Sequence, residues 1–259
     1  MLYVIGTGLG MEDISFAAIK ILKKCDYFFI DNYTTKIPFK IKKYEQFLTK
    51  IVRKKISIKE LTREMLEEKS DELIRLAKNA NIALLVYGDP LIATTHIALI
   101  NEARKQGIKI KIVHNVSIIN AITETGLSPY KFGKIASMPR WQEGYKPESF
   151  YDIIKQNLSI NSHTLLLIDS ELSFEQALKQ LAEVDKEKIL KHREIFVCSR
   201  LGTSQAKIKK IKLEGIKEDK IEKPFCFIIP SEIAFYERVG MKVEKEVEKA
   251  EAINNKHKG

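Results

Sequence analysis

The first half of the chain alternates between short apolar runs and segments in which apolar residues recur with helical spacing. The apolar runs predict buried strands at 2–5, 27–30, 82–87 and 109–113. Helical spacing predicts helices over 14–24, 58–79, 95–105 and 117–125. Strands that alternate with helices favour a mainly parallel α/β sheet.

Residues at the ends of these segments match the chemistry of helix ends. Asp13 is a candidate N-cap for the first helix, and Ser57 with Glu60 is a candidate capping box for the second. Gly107 and Gly126 follow the last two helices, where glycine commonly takes the left-handed conformation that ends a helix.

The order of elements changes after about residue 130. Residues 134–150 contain prolines, a glycine and a tryptophan without periodicity and predict a loop. Strands are predicted at 164–168, 194–199, 207–213 and 225–229, and helices at 151–157, at 172–184 and from 231. A charged helical tail is predicted over 242–259. We predict an N-terminal α/β domain at 1–115 and a C-terminal domain with a mixed sheet at 116–259.

The composition limits the environment in which the chain works. Hydrophobic residues make up 44% and charged residues 30% of the 259 residues, which is ordinary for a globular protein. Every apolar run is much shorter than the roughly 20 residues that cross a bilayer. The N-terminus lacks the basic segment of a signal peptide. We therefore predict a cytoplasmic protein that does not contact a membrane.

The formal net charge of +10 raises the question of nucleic-acid binding. The lysines are scattered and interleaved with glutamates, which fits a protein from a hot environment better than a nucleic-acid footprint. We predict no nucleic-acid partner. A basic RNA-binding module without catalysis stays open as an alternative, and it would bind RNA with a steep dependence on salt.

Cysteine and histidine spacing gives no support to a metal site. Cys25, Cys198 and Cys226 lie far apart, and the five histidines lack ligand spacing. Asp31 and Asp169 each end a predicted strand, but no further ligand accompanies them. We predict buried, inert thiols and no bound metal.

A glycine-rich turn, Gly6-x-Gly8-x-Gly10, follows the first strand and precedes the first helix. Glycines at such a place allow a tight turn and let a ligand approach main-chain N–H groups. The spacing differs from the dinucleotide-binding fingerprint. A ligand-binding turn and an ordinary βα turn are therefore about equally supported.

Polar residues follow two more strands of the predicted sheet. Asp89, in Gly88-Asp89-Pro90-Leu91, closes the most apolar strand, where ligands bind in open α/β sheets. It could contact a ligand amine, although Gly, Asp and Pro are also ordinary turn residues. Ser117 could help bind an anion or could cap a helix. His96 begins a helix, has no local partner and is interpreted as structural.

Longer strings along the chain resemble the diphthine synthases, a family of tetrapyrrole-methylase-like (class III) methyltransferases. The first half carries Leu2-Tyr3-Val4-Ile5-Gly6-x-Gly8-Leu9-Gly10, Lys24-Cys25-Asp26-Tyr27, Tyr33-Thr34, Gly88-Asp89-Pro90-Leu91-Ile92-Ala93-Thr94-Thr95-His96 and His114-Asn115-x-Ser117-Ile118. The second half carries Thr125-Gly126-Leu127, Tyr130-Lys131-Phe132-Gly133-Lys134, Ser149-Phe150-Tyr151-Asp152 and His163-Thr164-Leu165-Leu166. Their order and spacing extend over nearly the whole chain.

The resemblance implies a fold and an activity. The fold class is α/β, with two α/β domains and the cofactor in the cleft between them, in a homodimer. The implied reaction trimethylates the amine of a 3-amino-3-carboxypropyl group on a histidine of translation elongation factor 2, giving diphthine for diphthamide biosynthesis. The cofactor is S-adenosyl-L-methionine and its product is S-adenosyl-L-homocysteine. The compactness of the chain favours the archaeal, trimethylating form over eukaryotic relatives that also form a methyl ester.

The resemblance also implies cofactor-binding positions but no catalytic residue. The matching positions are Leu9, Asp89, Ile92, Ser117, Ile118, Ile168, Leu201 and Phe225. The acceptor amine must be neutral to attack, and desolvation of the amine favours that form. We therefore expect catalysis by proximity and desolvation, without an essential acid or base.

A different acceptor within the same superfamily is the main alternative. The acceptor would be a tetrapyrrole carbon or a ribose of ribosomal RNA. The turn Leu9-Gly10-Met11 lacks the proline expected of tetrapyrrole methylases, and Ala93-Thr94-Thr95-His96 is not their continuation. These residues argue against a tetrapyrrole acceptor, and the ribosomal RNA acceptor stays open beside the elongation factor that the resemblance implies.

Overall fold

The structure is a computed structural model that describes residues 1–68, 70–213, 221–239 and 241. The chain divides into two compact units. The first holds Met1–Ala121, Ser199–Ala206 and Glu222–Pro224. The second holds the described residues within Ile122–Cys198, Lys207–Ile221 and Phe225–Gly259. The first unit thus takes two short segments from the second half of the chain, which a single boundary near residue 115 does not anticipate.

A parallel sheet forms the centre of the first unit. Its strands are β1 (Leu2–Gly6), β2 (Tyr27–Asp31), β3 (Ile58–Leu61), β4 (Ile82–Val86) and β5 (Ile110–Val113). They lie in the order β3-β2-β4-β1-β5, and every neighbouring pair is parallel. The predicted parallel α/β sheet is confirmed, and all carboxyl ends of its strands lie along one edge.

Helices cover both faces of this sheet. They are α1 (Phe16–Leu22), α2 (Ile41–Val52), α3 (Ser70–Asn79), α4 (His96–Lys105) and the short α5 (Ile118–Ala121). Tyr3 and Ile5 pack into a core with α1 and α2, whereas Leu2 and Val4 pack into a second core with α3 and α4. Burial on both faces explains why β1 and β4 read as continuous apolar runs rather than as alternating ones.

The structure corrects three predictions in this unit. Residues 58–61 were predicted as the start of a helix but form β3, because they pair with β2 at the sheet edge. The N-cap of α1 is Ser15, whose hydroxyl accepts a hydrogen bond from the N–H of Ala18, and not Asp13. The prediction also missed α2, whose buried residues recur with helical spacing.

The second unit contains a mixed sheet in the order β6-β7-β10-β8-β9. Its strands are β6 (Ala136–Met138), β7 (Thr164–Ile168), β8 (Ile195–Ser199), β9 (Lys207–Ile211) and β10 (Phe225–Ile229), and its long helices are α6 (Ser149–Ser159) and α7 (Phe174–Val184). β6 runs parallel to β7 and β10 runs antiparallel to it. The predicted mixed sheet is confirmed, but the region predicted as a loop contains β6.

The predictions of a charged tail and of the absence of membrane spans depend on which residues the structure describes. The charged tail predicted over 242–259 lies outside the described residues. Within the described ranges, no helix is long and apolar enough to span a membrane. The predicted domain limits, 1–115 and 116–259, remain a prediction and are distinct from the two compact units described above.

Candidate functional site

The loops that follow β4, β1 and β5 meet at the carboxyl edge of the parallel sheet. These strands are neighbours in the order β4-β1-β5, so their following turns lie side by side. Gly8 and Gly88 bond to each other through both backbone N–H groups, at 3.2 and 2.9 Å. A side-chain carbon added to Gly88 would lie 3.8 Å from both Leu9 and Ser117. Leu9, Asp89 and Ser117, which were predicted from three separate strings, therefore lie in one cluster.

Gly6 permits this close approach of the three loops. A Cβ atom at Gly6 would lie 2.6 Å from the carbonyl oxygen of Gly88, 2.9 Å from Pro90 and 3.0 Å from Asn115. The backbone oxygen cannot move away without breaking the contact between the turns. Glycine is required here because every other residue would separate the loops.

Asp13 occupies the free N–H groups of the glycine turn. Its Oδ2 accepts hydrogen bonds from the N–H groups of Leu9 at 3.0 Å and of Gly10 at 2.7 Å. These two N–H groups, which are candidates for binding an anion, are thus bound within the chain. The turn shapes the site and holds Leu9 in place. The carboxylate of Asp13 occupies the N–H groups for which an anionic ligand would have to compete.

The carboxylate of Asp89 is buried and fully engaged within the first unit. Oδ1 accepts a hydrogen bond from the N–H of Leu91 at 2.9 Å, and Oδ2 accepts one from the N–H of Asn115 at 3.1 Å. Oδ2 also lies 2.8 Å from Nδ1 of His114. Asp89 therefore joins the turn after β4 to the segment after β5, and the side chain acts on the site mainly through these partners.

Asn115 is a second connecting residue, which sequence reasoning did not single out. Its side-chain amide donates to the carbonyl oxygens of Gly6 at 3.1 Å and of Asp13 at 2.9 Å. Together with Asp89 it ties the ends of all three strands. The available signal was the string His114-Asn115 directly after β5, at the same edge of the sheet at which Asp89 follows β4.

Leu201 and Gly202 belong to the segment 199–206, which lies in the first unit. Gly202 has a φ of +75°, and a Cβ atom there would lie 2.5 Å from Cδ1 of Leu9. Leu201 itself is buried. The structure therefore brings this segment against the glycine turn, although the two are about 190 residues apart in the sequence.

The remaining predicted positions of the first unit lie on the same edge. Ser117 is buried, and its N–H and hydroxyl both bond to the side-chain oxygen of Asn120, at 3.1 and 3.3 Å. Ile118 begins α5, and Ile92 lies in the turn after Asp89 and is partly exposed. Ser117 thus lies at the start of α5, where the side-chain oxygen of Asn120 accepts both of its hydrogen bonds, and Ile92 and Ile118 are partly exposed apolar residues of the same unit.

Ile168 and Phe225 come together in the second unit. Ile168 ends β7 and Phe225 begins β10, and the antiparallel register places them opposite each other, one step beyond the pair Leu167 and Cys226. Phe225 is buried and packs edge-on against Phe174, with ring centroids 6.0 Å apart. The two predicted positions therefore form one apolar site at the end of this strand pair.

A buried histidine–carboxylate pair lies at the end of the neighbouring strand β2. Nε2 of His96 lies 3.3 Å from Oδ2 of Asp31, and both side chains are almost fully buried. Burial raises the pKa of Asp31, but the adjacent His96 imidazole and the hydrogen bond from the N–H of Thr34 outweigh the effect of burial and hold the pKa below its ordinary value. His96 is therefore paired with Asp31, which is distant in the sequence. The burial of both side chains agrees with the prediction that His96 has a structural role.

A second buried pair, His163 with Glu237, lies in the second unit. Nε2 of His163 lies 3.0 Å from Oε1 of Glu237, and Nδ1 accepts a hydrogen bond from the N–H of Ser231 at 2.9 Å. Glu237 also accepts from the N–H groups of Ser128 and Ala234. Burial lowers the pKa of His163 against the opposing effect of Glu237. Both ring nitrogens are thus used for structure.

Thiols and metal-binding groups show no second site in the described part of the chain. Cys25, Cys198 and Cys226 are buried and free, and burial raises the pKa of the Cys25 thiol to about 12. The prediction of buried thiols is confirmed. Among the described residues, no group of three or more His, Cys, Asp or Glu side chains could hold a metal ion.

Comparison with known proteins agrees with this architecture. The family model of the tetrapyrrole (corrin/porphyrin) methylases matches residues 1–217. A diphthine synthase of Methanococcus vannielii is 34% identical over 93% of this chain and 98% of its own length. A diphthine methyl ester synthase of Schizosaccharomyces pombe is 40% identical over 70% of this chain. The chain spans 62% of the length of that fungal relative, and 61% of a similar protein of Bos taurus.

A solved structure gives the same result for the fold. The crystal structure of a diphthine synthase superposes with a TM-score of 0.81, at 31% identity, over 93% of this chain and 95% of the other. The fold predicted from the resemblance is therefore confirmed. Sequence and structure together place this chain in the tetrapyrrole (corrin/porphyrin) methylase family, among the diphthine synthases.

Proposed function

We propose that the chain is an S-adenosyl-L-methionine-dependent methyltransferase that trimethylates the amine of the 3-amino-3-carboxypropyl group on a histidine of elongation factor 2. The observation that carries this proposal is the cluster of Leu9, Asp89 and Ser117 at the carboxyl ends of three neighbouring parallel strands. Ligands of open α/β sheets bind at this edge. Membership of the diphthine synthases supplies the reaction class.

The residues at this edge fit the proposed cofactor. S-adenosylmethionine carries a flat aromatic purine, whose faces can pack on apolar side chains, and Leu9, Ile92 and Leu201 provide such side chains within the first unit. The hydroxyl of Tyr87, directly before Gly88, is buried and has no hydrogen-bond partner in the described ranges. A buried hydroxyl without a partner costs about 1–3 kcal/mol, so a polar ligand group at this place would stabilise it. Ile168 and Phe225 are the proposed contacts of the second unit.

The chain's own contribution to methyl transfer is mostly positional. When bound, the cofactor supplies an electrophilic methyl group on a sulfonium sulfur. Asp89 and Asn115 hold the three strand-end turns in a fixed geometry, and Gly6 and Gly202 keep them close. Holding two reactants in near-attack geometry accounts for about 7–11 kcal/mol of the barrier in favourable cases.

The acceptor and the surroundings of the enzyme belong to the same proposal. Elongation factor 2 is the protein substrate, the enzyme works in the cytoplasm as a homodimer, and no nucleic acid takes part. Similarity to the diphthine synthase of a Methanococcus species, at 34% identity over 93% of this chain, supports an archaeal type of enzyme that stops at three methyl groups on nitrogen. The scattered positive charge would assist the encounter with an acidic partner.

Mass spectrometry of the target histidine peptide tests this function. Elongation factor 2 that carries the carboxypropyl-histidine intermediate is incubated with the protein and S-adenosylmethionine. We expect successive additions of methyl groups on that peptide, ending at the trimethylated form. The control is elongation factor 2 without the carboxypropyl group, which should remain unchanged.

Two other outcomes would change the proposal in different ways. A fourth methyl group, on the carboxylate, would show a methyl ester synthase and would correct only the extent of the reaction. An unchanged peptide, while calorimetry shows that S-adenosylmethionine binds, would contradict the acceptor. The tetrapyrrole and ribosomal RNA acceptors would then be tested next.

A further inference from the structure

His114 differs from the other paired histidines because its side chain is largely exposed to solvent. It directly follows β5, and its Nδ1 lies 2.8 Å from Oδ2 of Asp89. The side chain of His114 is 67% exposed, whereas that of Asp89 is only 7% exposed. Within the described part of the chain, Nε2 of His114 has no hydrogen-bond partner. A buried carboxylate thus orients an imidazole whose second nitrogen faces solvent.

The hydrogen bonds around Asp89 determine which nitrogen of His114 carries the proton. Oδ1 and Oδ2 of Asp89 already accept N–H groups from Leu91 and Asn115, so the carboxylate is held as an acceptor. Nδ1 of His114 must therefore donate, and Nε2 carries the lone pair. This is the tautomer in which an imidazole acts as a base through Nε2.

The location of His114 relates it to the proposed cofactor positions. It is bonded to Asp89, it precedes Ser117 by three residues, and its neighbour Asn115 binds the carbonyl oxygen of Gly6. All of these residues lie in the first unit, at the carboxyl edge of the strands β4, β1 and β5. Nε2 is therefore an accessible proton acceptor on the edge where the reaction is proposed.

We propose that His114 takes the proton from the acceptor amine and that Asp89 is the residue that positions it. This inference rests on the proposed methyltransferase function and replaces the expectation that no base is used. An ammonium acceptor gives a proton to Nε2 of His114. The nitrogen lone pair then forms the N–C bond, the C–S bond breaks, and its electron pair stays on sulfur.

Trimethylation makes such a proton acceptor especially useful. An aliphatic amine loses one proton with each methyl group that it gains, until the quaternary product has none to lose. The imidazolium formed at each step stays bonded to Asp89, and its exposed side chain lets Nε2 release the proton to water. The same residue can therefore act in every round.

The charged groups around His114 come from three elements. Asp89 contacts it from the turn after β4, and Asp13 lies beside Asn115 in the glycine turn, with its carboxylate bound to N–H groups. The helix α4 packs on β5 and carries His96 at its first position, against Asp31. Its other charged residues, Glu102, Arg104 and Lys105, lie towards its C-terminal end. Asp89 is the charged group in direct contact with the ring.

Single-turnover methylation as a function of pH tests the proposal with His114→Asn. Asparagine keeps a donor for Asp89 at the place of Nδ1 but removes Nε2. At pH 7 we expect the variant to be about 100-fold slower with saturating cofactor, which is typical of a lost general base. The deficit should shrink towards pH 10, where an aliphatic amine of this kind loses its proton without assistance.

Controls separate this role from a structural one. His192→Asn changes another exposed histidine and should methylate like the wild type. Calorimetry should show the same cofactor affinity for His114→Asn as for the wild type, and His114→Gln serves as a second variant if the first fails to fold. Addition of the carboxypropyl-histidine peptide should shift the NMR signals of the His114 ring and leave those of His192 unchanged.

Each other outcome has a definite meaning. If His114→Asn methylates more slowly than the wild type by the same factor at every pH, or not more slowly at all, His114 is not the proton acceptor. The proposed methyltransferase function would be unaffected by either result. A wild-type protein that binds the cofactor but never methylates the elongation factor would overturn the proposed function, and the inference with it.

Discussion

Two of the histidine–carboxylate pairs, one taken from each unit, use the same chemical groups for different purposes. His114 is paired with Asp89 at 2.8 Å and is largely exposed, whereas His163 is paired with Glu237 at 3.0 Å and is wholly buried. The difference lies in the second nitrogen of each ring. Nδ1 of His163 accepts a hydrogen bond from the N–H of Ser231, whereas Nε2 of His114 has no hydrogen-bond partner among the described residues. Pairing with a carboxylate therefore does not by itself identify a functional histidine. His114 differs from His163 in combining an exposed ring with an unbonded second nitrogen.

The largest expected effect is on stability and separates the two pairs directly. His163→Ala leaves Glu237 buried without its imidazole partner, so the free energy of unfolding should fall by about 3–5 kcal/mol. His114→Ala removes an exposed ring and should change the free energy of unfolding by less than about 0.5 kcal/mol. Urea unfolding of both variants measures the difference. Equal losses would show that the exposed ring is also structural.

The next effect concerns the carboxylate that orients His114. Asp89→Ala leaves two backbone N–H groups without their acceptor, so we expect a loss of about 2 kcal/mol of stability together with weaker cofactor binding. The matched control is Asp169→Ala, since Asp169 also follows a strand and accepts the N–H of Glu171. Calorimetry with S-adenosylmethionine should show weakened binding for Asp89→Ala alone. Equal affinities would remove Asp89 from the cofactor site.

A smaller effect tests whether close packing builds the edge around His114. Gly202 and Gly107 both have a φ of +75°, so alanine at either should cost about 1–2 kcal/mol of backbone strain. At Gly202 the new Cβ atom would lie 2.5 Å from Leu9, whereas at Gly107 no atom of the described residues lies within 4 Å. Gly202→Ala should therefore weaken cofactor binding about tenfold, and Gly107→Ala should leave it unchanged in the same calorimetric experiment.

The smallest effect is a dependence of stability on pH in the second unit. Burial depresses the pKa of His163 in the folded state, so the unfolded chain binds a proton more readily near pH 6.5. The buried, neutral His163 therefore contributes its full share of stability above pH 6.5, and this share is lost as the pH falls below that value. Urea midpoints at pH 7.5 and pH 5.5 should differ more for the wild type than for His163→Gln. The opposite order would contradict a depressed pKa.

Much of the fold could be predicted because burial leaves a pattern in the sequence. The strands β1, β4, β7 and β10 are buried along most or all of their length, and their apolar runs gave nearly the observed limits. The strand β3 is short, lies at the edge and is half exposed, so its residues carried no apolar run and were assigned to a helix. Edge strands depend on their neighbour rather than on their own composition.

The candidate site was predictable only in part, for a related reason. Leu9, Asp89 and Ser117 were found from motifs, but the roles of Asn115 and His114 depend on contacts between the ends of different strands. His96, His114 and His163 look alike as single residues in the sequence. Their burial and the partners of each ring nitrogen, which distinguish them, exist only in the folded chain.

The central claim is that His114 presents a free Nε2 and that His163 does not, and long-range 15N NMR of the histidine rings tests it most directly. At pH 8 we predict opposite tautomers in one protein. His114 should carry its proton on Nδ1, towards Asp89, and His163 should carry it on Nε2, towards Glu237. A His114 ring protonated on Nε2, or the same tautomer at both positions, would contradict the account.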